Sequence, residues 1–354
     1  MKTFRLSALA VLLASALYPA SAYDFLVDGI YYNISSSSDL TAEVTYEKSG
    51  YNSYTGVVEV PTQVEYDGTT YAITAVGDNA FRASTELTSV TLGEGVTSLG
   101  DYAFAECTAL AEVSLPSTLE SIGKRAFTKC EALTAVDLPD AVTSMDQHVF
   151  YKATALTELT IPAGLTTVPQ CLALDCTALE SVTLHENVTT LGTGCFRNCS
   201  ALTSVTIPAS VTVVNTFAFN GCSSLTEVNV LNTTPPTVGS TNAFTTYTSA
   251  TLYVPEGCAE TYEAHTIWSA FSTVVEKDFT ETAGIDNATT SDEKAFSLVA
   301  GGIQINADGL TVKIYDLTGK TIYSGTSTRG QTLSVPNAGT YILQVGSQTQ
   351  KVVM

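Results

Sequence analysis

The chain has 354 residues, 14% of them charged, with 15 basic against 35 acidic side chains and a formal net charge of −20. That balance argues against a nucleic-acid or anionic-membrane partner and suits an exported protein. At 45% hydrophobic residues, the chain is long enough to bury a sizeable core.

Residues 1–22 read as a secretory signal. Lys2 and Arg5 form the charged start, Leu6 to Leu17 the apolar core, and Ala20-Ser21-Ala22 an A-x-A cleavage site. Cleavage there starts the mature chain at Tyr23 and takes the charge from −20 to −22 by removing Lys2 and Arg5. No cysteine follows the cut, which disfavours a lipoprotein, and no later stretch is long and apolar enough for a membrane span.

Residues 23–72 read as β, with runs DFLVDGIYYNI, LTAEVTYE and YTGVVEVPTQV and a turn at Asp67-Gly68. They are expected to cap the segment after them. That segment, residues 73–233, is a repeat: seven copies at a fixed 23-residue period, beginning at Ile73, Val96, Leu119, Val142, Leu165, Val188 and Val211. Such a short period predicts a solenoid, in which each coil buries its apolar face against its neighbours. Solenoids generally bind rather than catalyse.

Numbering one repeat 1 to 23, position 15 is always Leu, from Leu87 to Leu225. Positions 18 and 20 are aliphatic throughout and share a strand face, while 16, 17 and 19 are small, polar or acidic. Positions 1 and 4 are a second apolar pair. Position 9 is Phe in six copies and Ala173 in the fifth. Position 5 is Gly in four copies, which suggests a turn needing unusual backbone angles. Position 21 is Pro in four copies and is expected to end the strand without removing a ladder donor. About six inward side chains per coil contribute roughly 1.5–3 kcal/mol each on full burial. Seven strands about 4.8 Å apart make a rod of roughly 35 Å.

Five of eight cysteines fall at position 12 (Cys107, Cys130, Cys176, Cys199 and Cys222), with Ser84 and Ala153 in two other copies. Small residues exchange there, so the expectation is a column of inward thiols. Zinc is the sharper alternative. Cys195 and Cys199 are four apart but stand at positions 8 and 12 without a matching pair, so no metal is assigned. Cys171 and Cys195 lie in neighbouring coils and could pair; the sequence leaves that open, as it does the state of Cys258.

Residues 234–276 look like a degenerate last coil: Asn242-Ala243-Phe244 echoes the repeat, and a short helix carries Trp268 as the C-terminal cap. Residues 277–294 read as a polar linker. Residues 295–354 turn to short alternating strands (IQINA, LTVKIYDL, TIYSG, QTLSV, TYILQV) with turns at Asp308-Gly309 and Thr318-Gly319, expected to form a small β-sandwich. The fold expected is therefore mainly β.

The repeat resembles the BspA-like leucine-rich repeats of bacterial surface proteins. The shared pattern is I-G-x-x-A-F-x-x-C-x-x-L-x-x-V-x-L-P, here Ile122-Gly123, Ala126-Phe127, Cys130, Leu133, Val136 and Leu138-Pro139. The resemblance implies a leucine-rich repeat solenoid at the cell surface, adhesion-like, binding host matrix protein, cell-surface protein or glycan. The C-terminal region resembles the sorting domain of type IX secretion cargo, through Val312-Lys313-Ile314-Tyr315-Asp316-Leu317-Thr318-Gly319-Lys320, Gly339 to Val345 and Lys351-Val352-Val353. That implies contact with a secretion machinery and release or attachment outside a Bacteroidota-type cell. A structural or assembly role in the envelope is the other reading.

All six basic residues of the repeats stand at positions 6, 7, 10 or 11. In the third and fourth coils Lys124, Arg125, Lys129, His148, Tyr151 and Lys152 form a basic and aromatic ridge, the candidate binding site. The same positions also read as ordinary exposed loop sites. The strand face offers no aromatic and no Arg. None of His148, His185 and His265 stands in a metalloprotease or nucleophile pattern, and there is no nucleotide fingerprint. No catalytic residue, cofactor or enzyme activity is assigned.

Overall fold

The structure, a computed structural model, describes residues 22–279 except 49, and beyond them the strands of residues 296–353 with a few turn residues. Residues 1–21 of the signal segment, most of the linker 277–294 and the turn Thr318-Gly319 lie outside the described residues. The described residues divide into two compact units, one up to Lys277 and the other from Asp278.

The first unit is a β-solenoid in which the 23-residue period becomes the coil. Each coil has a short strand at positions 3–4, and all but the third have another around positions 17–20; these stack in parallel on their counterparts. Thus Leu99 pairs with Ile122 and Val205 with Val228. Positions 1, 9, 12 and 15 are buried in every copy. The position-9 rings form a column down the core. Phe81, Phe104, Phe127 and Phe150 stack at centroid distances of 4.8, 5.1 and 5.5 Å. Tyr54 extends the column at the N-terminal end, 4.5 Å from Phe81. Phe196, Phe219 and Phe244 continue it at 5.6 and 5.1 Å.

The fifth coil interrupts the column with Ala173. It compensates at position 8, where most coils have Ala and this one has Leu172, fully buried. The volume has moved one residue back. The same coil carries Pro169 at position 5. In other coils the position-5 N–H donates to the preceding coil, as Gly123 N does to Leu99 O at 2.8 Å and Gly192 N to Val168 O at 2.9 Å. Proline has no N–H to give. The position 3–4 ladder accordingly stops at Met145 and resumes at Val168, while the other ladder still joins the fifth coil to the fourth through Leu159 and Val182. In the third coil the position 17–20 strand is missing and Val136 is half-buried, and there the position 3–4 ladder is intact. Every junction between the seven coils keeps at least one ladder. The position-21 prolines follow the strands, and their carbonyls take the N–H of the next coil's first residue, as Pro116 O takes Leu119 N at 3.2 Å. They do remove a donor, contrary to expectation: where the position is not proline its N–H reaches the preceding coil, as Gly93 N does to Val60 O at 2.9 Å and Leu231 N to Ile207 O at 3.0 Å.

The position-5 glycines are not there for unusual angles, and that expectation is corrected. Gly77, Gly100, Gly123 and Gly192 have no left-handed φ. They are there because the coils touch backbone to backbone: a Cβ on Gly123 would sit 2.6 Å from the Gly100 carbonyl carbon and 2.7 Å from Asp101 N. Gly123→Ala is therefore expected to lower stability by about 1–3 kcal/mol through forced separation of two coils. A urea midpoint equal to that of the parent would refute this account.

Both ends are closed by β structure. At the N-terminal end the hairpin Phe25–Val27 with Ile30–Ser36 turns on left-handed Asp28 and Gly29, and Gln63–Tyr66 with Thr69–Val76 turns on Asp67 and Gly68. Strand Thr55–Val60 pairs with Glu86–Leu92 and supplies Val58 and Val60 where a coil would have positions 18 and 20. At the other end an eighth coil carries one or two extra residues: Thr237–Val238, Phe244 and Thr251–Pro255 take the places of positions 3–4, 9 and 17 onward. Strand Thr273–Lys277 is last. The α-helix there is Ala259–Glu263; Trp268 instead lies in the 3-10 turn Trp268–Ala270, fully buried, with Nε1–H donating to Pro236 O at 2.8 Å.

The second unit has two antiparallel sheets. One joins Phe296–Val299, Gly302–Ile305 and Thr332–Leu333; the other joins Thr321–Thr326, Thr311–Asp316, Thr340–Val345 and Gln348–Val353. Ile303, Ile305, Leu333, Val312, Ile314 and Leu343 are buried.

Candidate functional site: the ridge of left-handed turns

Between its two strands each coil crosses a ridge, positions 6–12, where the backbone alternates in hand. Positions 7 and 11 are left-handed in every coil, including Tyr102 and Glu106, Arg125 and Lys129, and His148 and Lys152. Each such non-glycine residue costs on the order of 1–2 kcal/mol. The alternation aims the N–H groups of positions 7, 9 and 11 at the next coil. Tyr102 N, Phe104 N and Glu106 N donate to Lys124 O, Ala126 O and Thr128 O at 2.8, 2.8 and 2.7 Å. Because this backbone is committed between coils and positions 8, 9 and 12 fill the core, the side chains at 7 and 11 are turned outward, as are those at 10 except the buried Ala105 and Thr128.

This geometry gathers the sequence-predicted ridge residues. Lys124, Arg125, Lys129, His148, Tyr151 and Lys152 are all half-buried, lying along the coil surface. His148 and Tyr151 meet edge to face at 5.9 Å, and Lys152 Nζ is 5.4 Å from the Tyr151 ring centre. Lys129 Nζ is 3.3 Å from Glu106 Oε1, a surface pair of small energetic weight. Burial first, then the charges of Arg125 and Lys124, pushes the His148 imidazole below its ordinary range. His148 therefore contributes a ring rather than a charge at neutral pH.

The ridge also forms a groove of about 460 Å³ that runs toward the N-terminal cap. Arg125, Lys129 and Tyr151 line it; Lys124, His148 and Lys152 do not. The other lining residues include Tyr51, Asp78, Arg82, Asp101, Tyr102 and Glu106. Arg82 and Tyr102 stand at ridge positions and were open to sequence reasoning. Tyr51 was not, because it comes from the cap, outside the period. Asp78 and Asp101 hold the ridge in register: Asp78 Oδ1 accepts Asp101 N–H at 2.7 Å and Asp101 Oδ1 accepts Lys124 N–H at 2.8 Å.

The position-12 cysteines form the inward column that their spacing predicts. Each thiol donates to the position-9 carbonyl of the preceding coil: Cys107 to Phe81 O at 2.9 Å, Cys130 to Phe104 O at 3.2 Å and Cys222 to Phe196 O at 3.1 Å. All eight cysteines are free, Cys171, Cys195 and Cys258 included. Among the described residues no group of three His, Cys, Asp or Glu side chains is placed to hold a metal ion, and no helix is long and apolar enough to cross a membrane.

The fold is thus a leucine-rich repeat solenoid. The description "BspA type Leucine rich repeat region" matches residues 74–200 and 143–265, in six copies, and the chain belongs to that family. Among solved structures, a leucine-rich repeat protein from Bacteroides ovatus ATCC 8483 is similar with a TM-score of 0.55 at 24% identity, over 72% of this chain and 71% of that one. A leucine-rich cell surface protein from Faecalibacterium prausnitzii A2-165 is similar at 20% identity and a TM-score of 0.45, over 72% of this chain and 94% of its own. The T. pallidum leucine-rich repeat protein shares 24% identity at a TM-score of 0.42, over 59% and 86%. No curated protein matches the chain.

Proposed function

We propose that the protein is an exported, adhesin-like binding protein of the bacterial cell surface that engages a host matrix protein, cell-surface protein or glycan through the ridge of its solenoid. The observation that carries this reading is the cluster of half-buried cationic and aromatic side chains on the first four coils of a chain with net charge −20. Aromatic and arginine side chains held against a rigid surface are the usual anchors of recognition. Positions 16, 17 and 19 of the strand face have neither in the seven regular coils. Residues 1–22 direct export, and the C-terminal β unit is the sorting domain read by a type IX secretion machinery.

The test uses the mature chain against immobilised matrix proteins, epithelial cells and a glycan array, beside a variant carrying Lys124→Glu, Arg125→Glu and Lys129→Glu. Saturable binding that the variant loses is expected. Undiminished binding by the variant removes the ridge from consideration.

A specific observation favours a second reading, end-to-end assembly. The strands around positions 17–20 form three separate sheets, and the outer two end in edge strands at the two ends of the solenoid, Thr55–Val60 and Thr273–Lys277, each exposing a valine, Val57 and Val275. Concentration-dependent growth of the sedimentation coefficient would support it.

A further inference from the structure

We propose that the ridge groove binds an acidic saccharide, with Arg82 and Arg125 as paired contacts to its carboxylate or sulfate groups. This rests on the reading of the ridge as the binding surface and gives that surface its ligand chemistry.

Four side chains alternate along the groove: Tyr51, Arg82, Tyr102, Arg125. The Arg82 guanidinium carbon is 5.1 Å from the ring centres of both Tyr51 and Tyr102, and that of Arg125 is 5.9 Å from Tyr102. A guanidinium packed against rings is already ordered, and its N–H edge is the part left for a planar acceptor. Arg82 Nη1 donates to the neutral Asn79 Oδ1 at 3.1 Å. Arg125 Nε is buried and has no hydrogen-bond partner. Neither arginine is in an ion pair with a carboxylate, whereas Lys48 pairs with Glu47 and Lys129 with Glu106. In a chain with 35 acidic against 15 basic residues, two adjacent arginines without acid partners mark a place kept for an outside anion.

The remaining wall of the groove selects the kind of anion. Asp78 and Asp101 stand in it, and each spends one carboxylate oxygen on a backbone N–H of the next coil. Their remaining oxygens repel the closely spaced carboxylates of an acidic peptide. Toward a sugar they act as acceptors for hydroxyl hydrogens, beside the hydroxyls of Tyr51, Tyr102 and Tyr151. Three coil spacings of about 4.8 Å give roughly 14 Å of track, the reach of a short oligosaccharide. A saccharide with one or two acidic groups meets the arginines and the aspartates together.

The test measures binding of the full mature chain to a monosulfated tetrasaccharide (sulfated), a tetrasaccharide with two uronate residues (carboxylated), dextran (neutral) and poly-glutamate. Binding to at least one acidic saccharide and none to dextran is expected, and which of the two binds identifies the anion. Arg82→Gln and Arg125→Gln should each weaken it at least tenfold, and Tyr102→Leu should weaken it by removing the stack. Arg197→Gln, on the ridge beyond the groove, should leave it unchanged. Melting temperatures close to the parent's show that the variants are folded. Equal affinity in the Arg82 and Arg125 variants, or preference for poly-glutamate, overturns the proposal. If neither acidic saccharide binds while ridge-dependent adhesion persists, the ligand class is wrong and the binding function stands. If adhesion is independent of the ridge, the broader reading has failed.

Discussion

Phe127→Ala is expected to destabilise the solenoid by about 3–5 kcal/mol, the usual range for truncating a buried aromatic ring. Phe127 is fully buried in the middle of the ring column, stacked on Phe104 and Phe150 at 5.1 and 5.5 Å. Its removal opens a cavity that rigid coils above and below cannot close. In a stack where each coil contacts only its neighbours, the damage should also uncouple the two sides. The urea transition should broaden as well as shift. The fifth coil supplies the control, because it already lives without the ring by placing Leu172 ahead of Ala173. The double variant Ala126→Leu/Phe127→Ala copies that solution and should recover about half of the loss. A double variant no more stable than Phe127→Ala would mean that the leucine cannot reach the vacated space and that the fifth coil is held by something else.

That pair also shows how far the sequence was readable. The period, the inward leucines, the ring column and the thiol column are one signal, since each is a residue type recurring every 23 positions on the buried side. Burial restricts identity, so the pattern survives in the letters. The ridge backbone does not announce itself that way. Positions 7 and 11 are left-handed in every coil, yet they hold Tyr102, Arg125, His148, Glu106 and Lys129 as readily as Gly194 or Gly221. There the conformation is imposed by hydrogen bonds between coils. The glycines at position 5 misled for the converse reason: they are required by a neighbouring coil, which the local sequence cannot display. Pro169 was visible, but its consequence, a missing donor at one junction, belongs to the stack. The groove was half legible. Arg82, Tyr102 and Arg125 stand at ridge positions, whereas Tyr51 reaches it from a cap that does not repeat.

Raising the pH from 9 toward 12 is expected to unfold the solenoid steeply, because the buried thiols resist ionisation. Burial pushes Cys107 and Cys176 up to about 12 and raises Cys130 and Cys195 as well. For Cys199 a hydrogen bond with Cys222 comes first and burial second, in the same direction. In the unfolded chain a thiol ionises near pH 8.5–9. Between that pH and the folded-state value, unfolding releases a proton that folding must take back. The stability these thiols contribute is therefore complete below pH 8 and is lost as the pH climbs through the window. Each contributes a slope of about 1.4 kcal/mol per pH unit, so Cys107 alone accounts for about 4 kcal/mol across it. Alanine fills the same column site at Ala153, fully buried, so Cys107→Ala with Cys176→Ala should fold at pH 7 at a cost of about 1 kcal/mol per site. Between pH 9.5 and 11 the double variant should lose stability less steeply than the parent by about 3 kcal/mol per pH unit. The buried Tyr32 and the half-buried Tyr247 also ionise late, but they are common to both proteins and drop out of the difference. The measurement is a set of urea titrations at pH 7, 9.5, 10.5 and 11 on parent and variant. Parallel stability curves would show that the column thiols are not protected from ionisation and would remove them as the source of alkaline sensitivity.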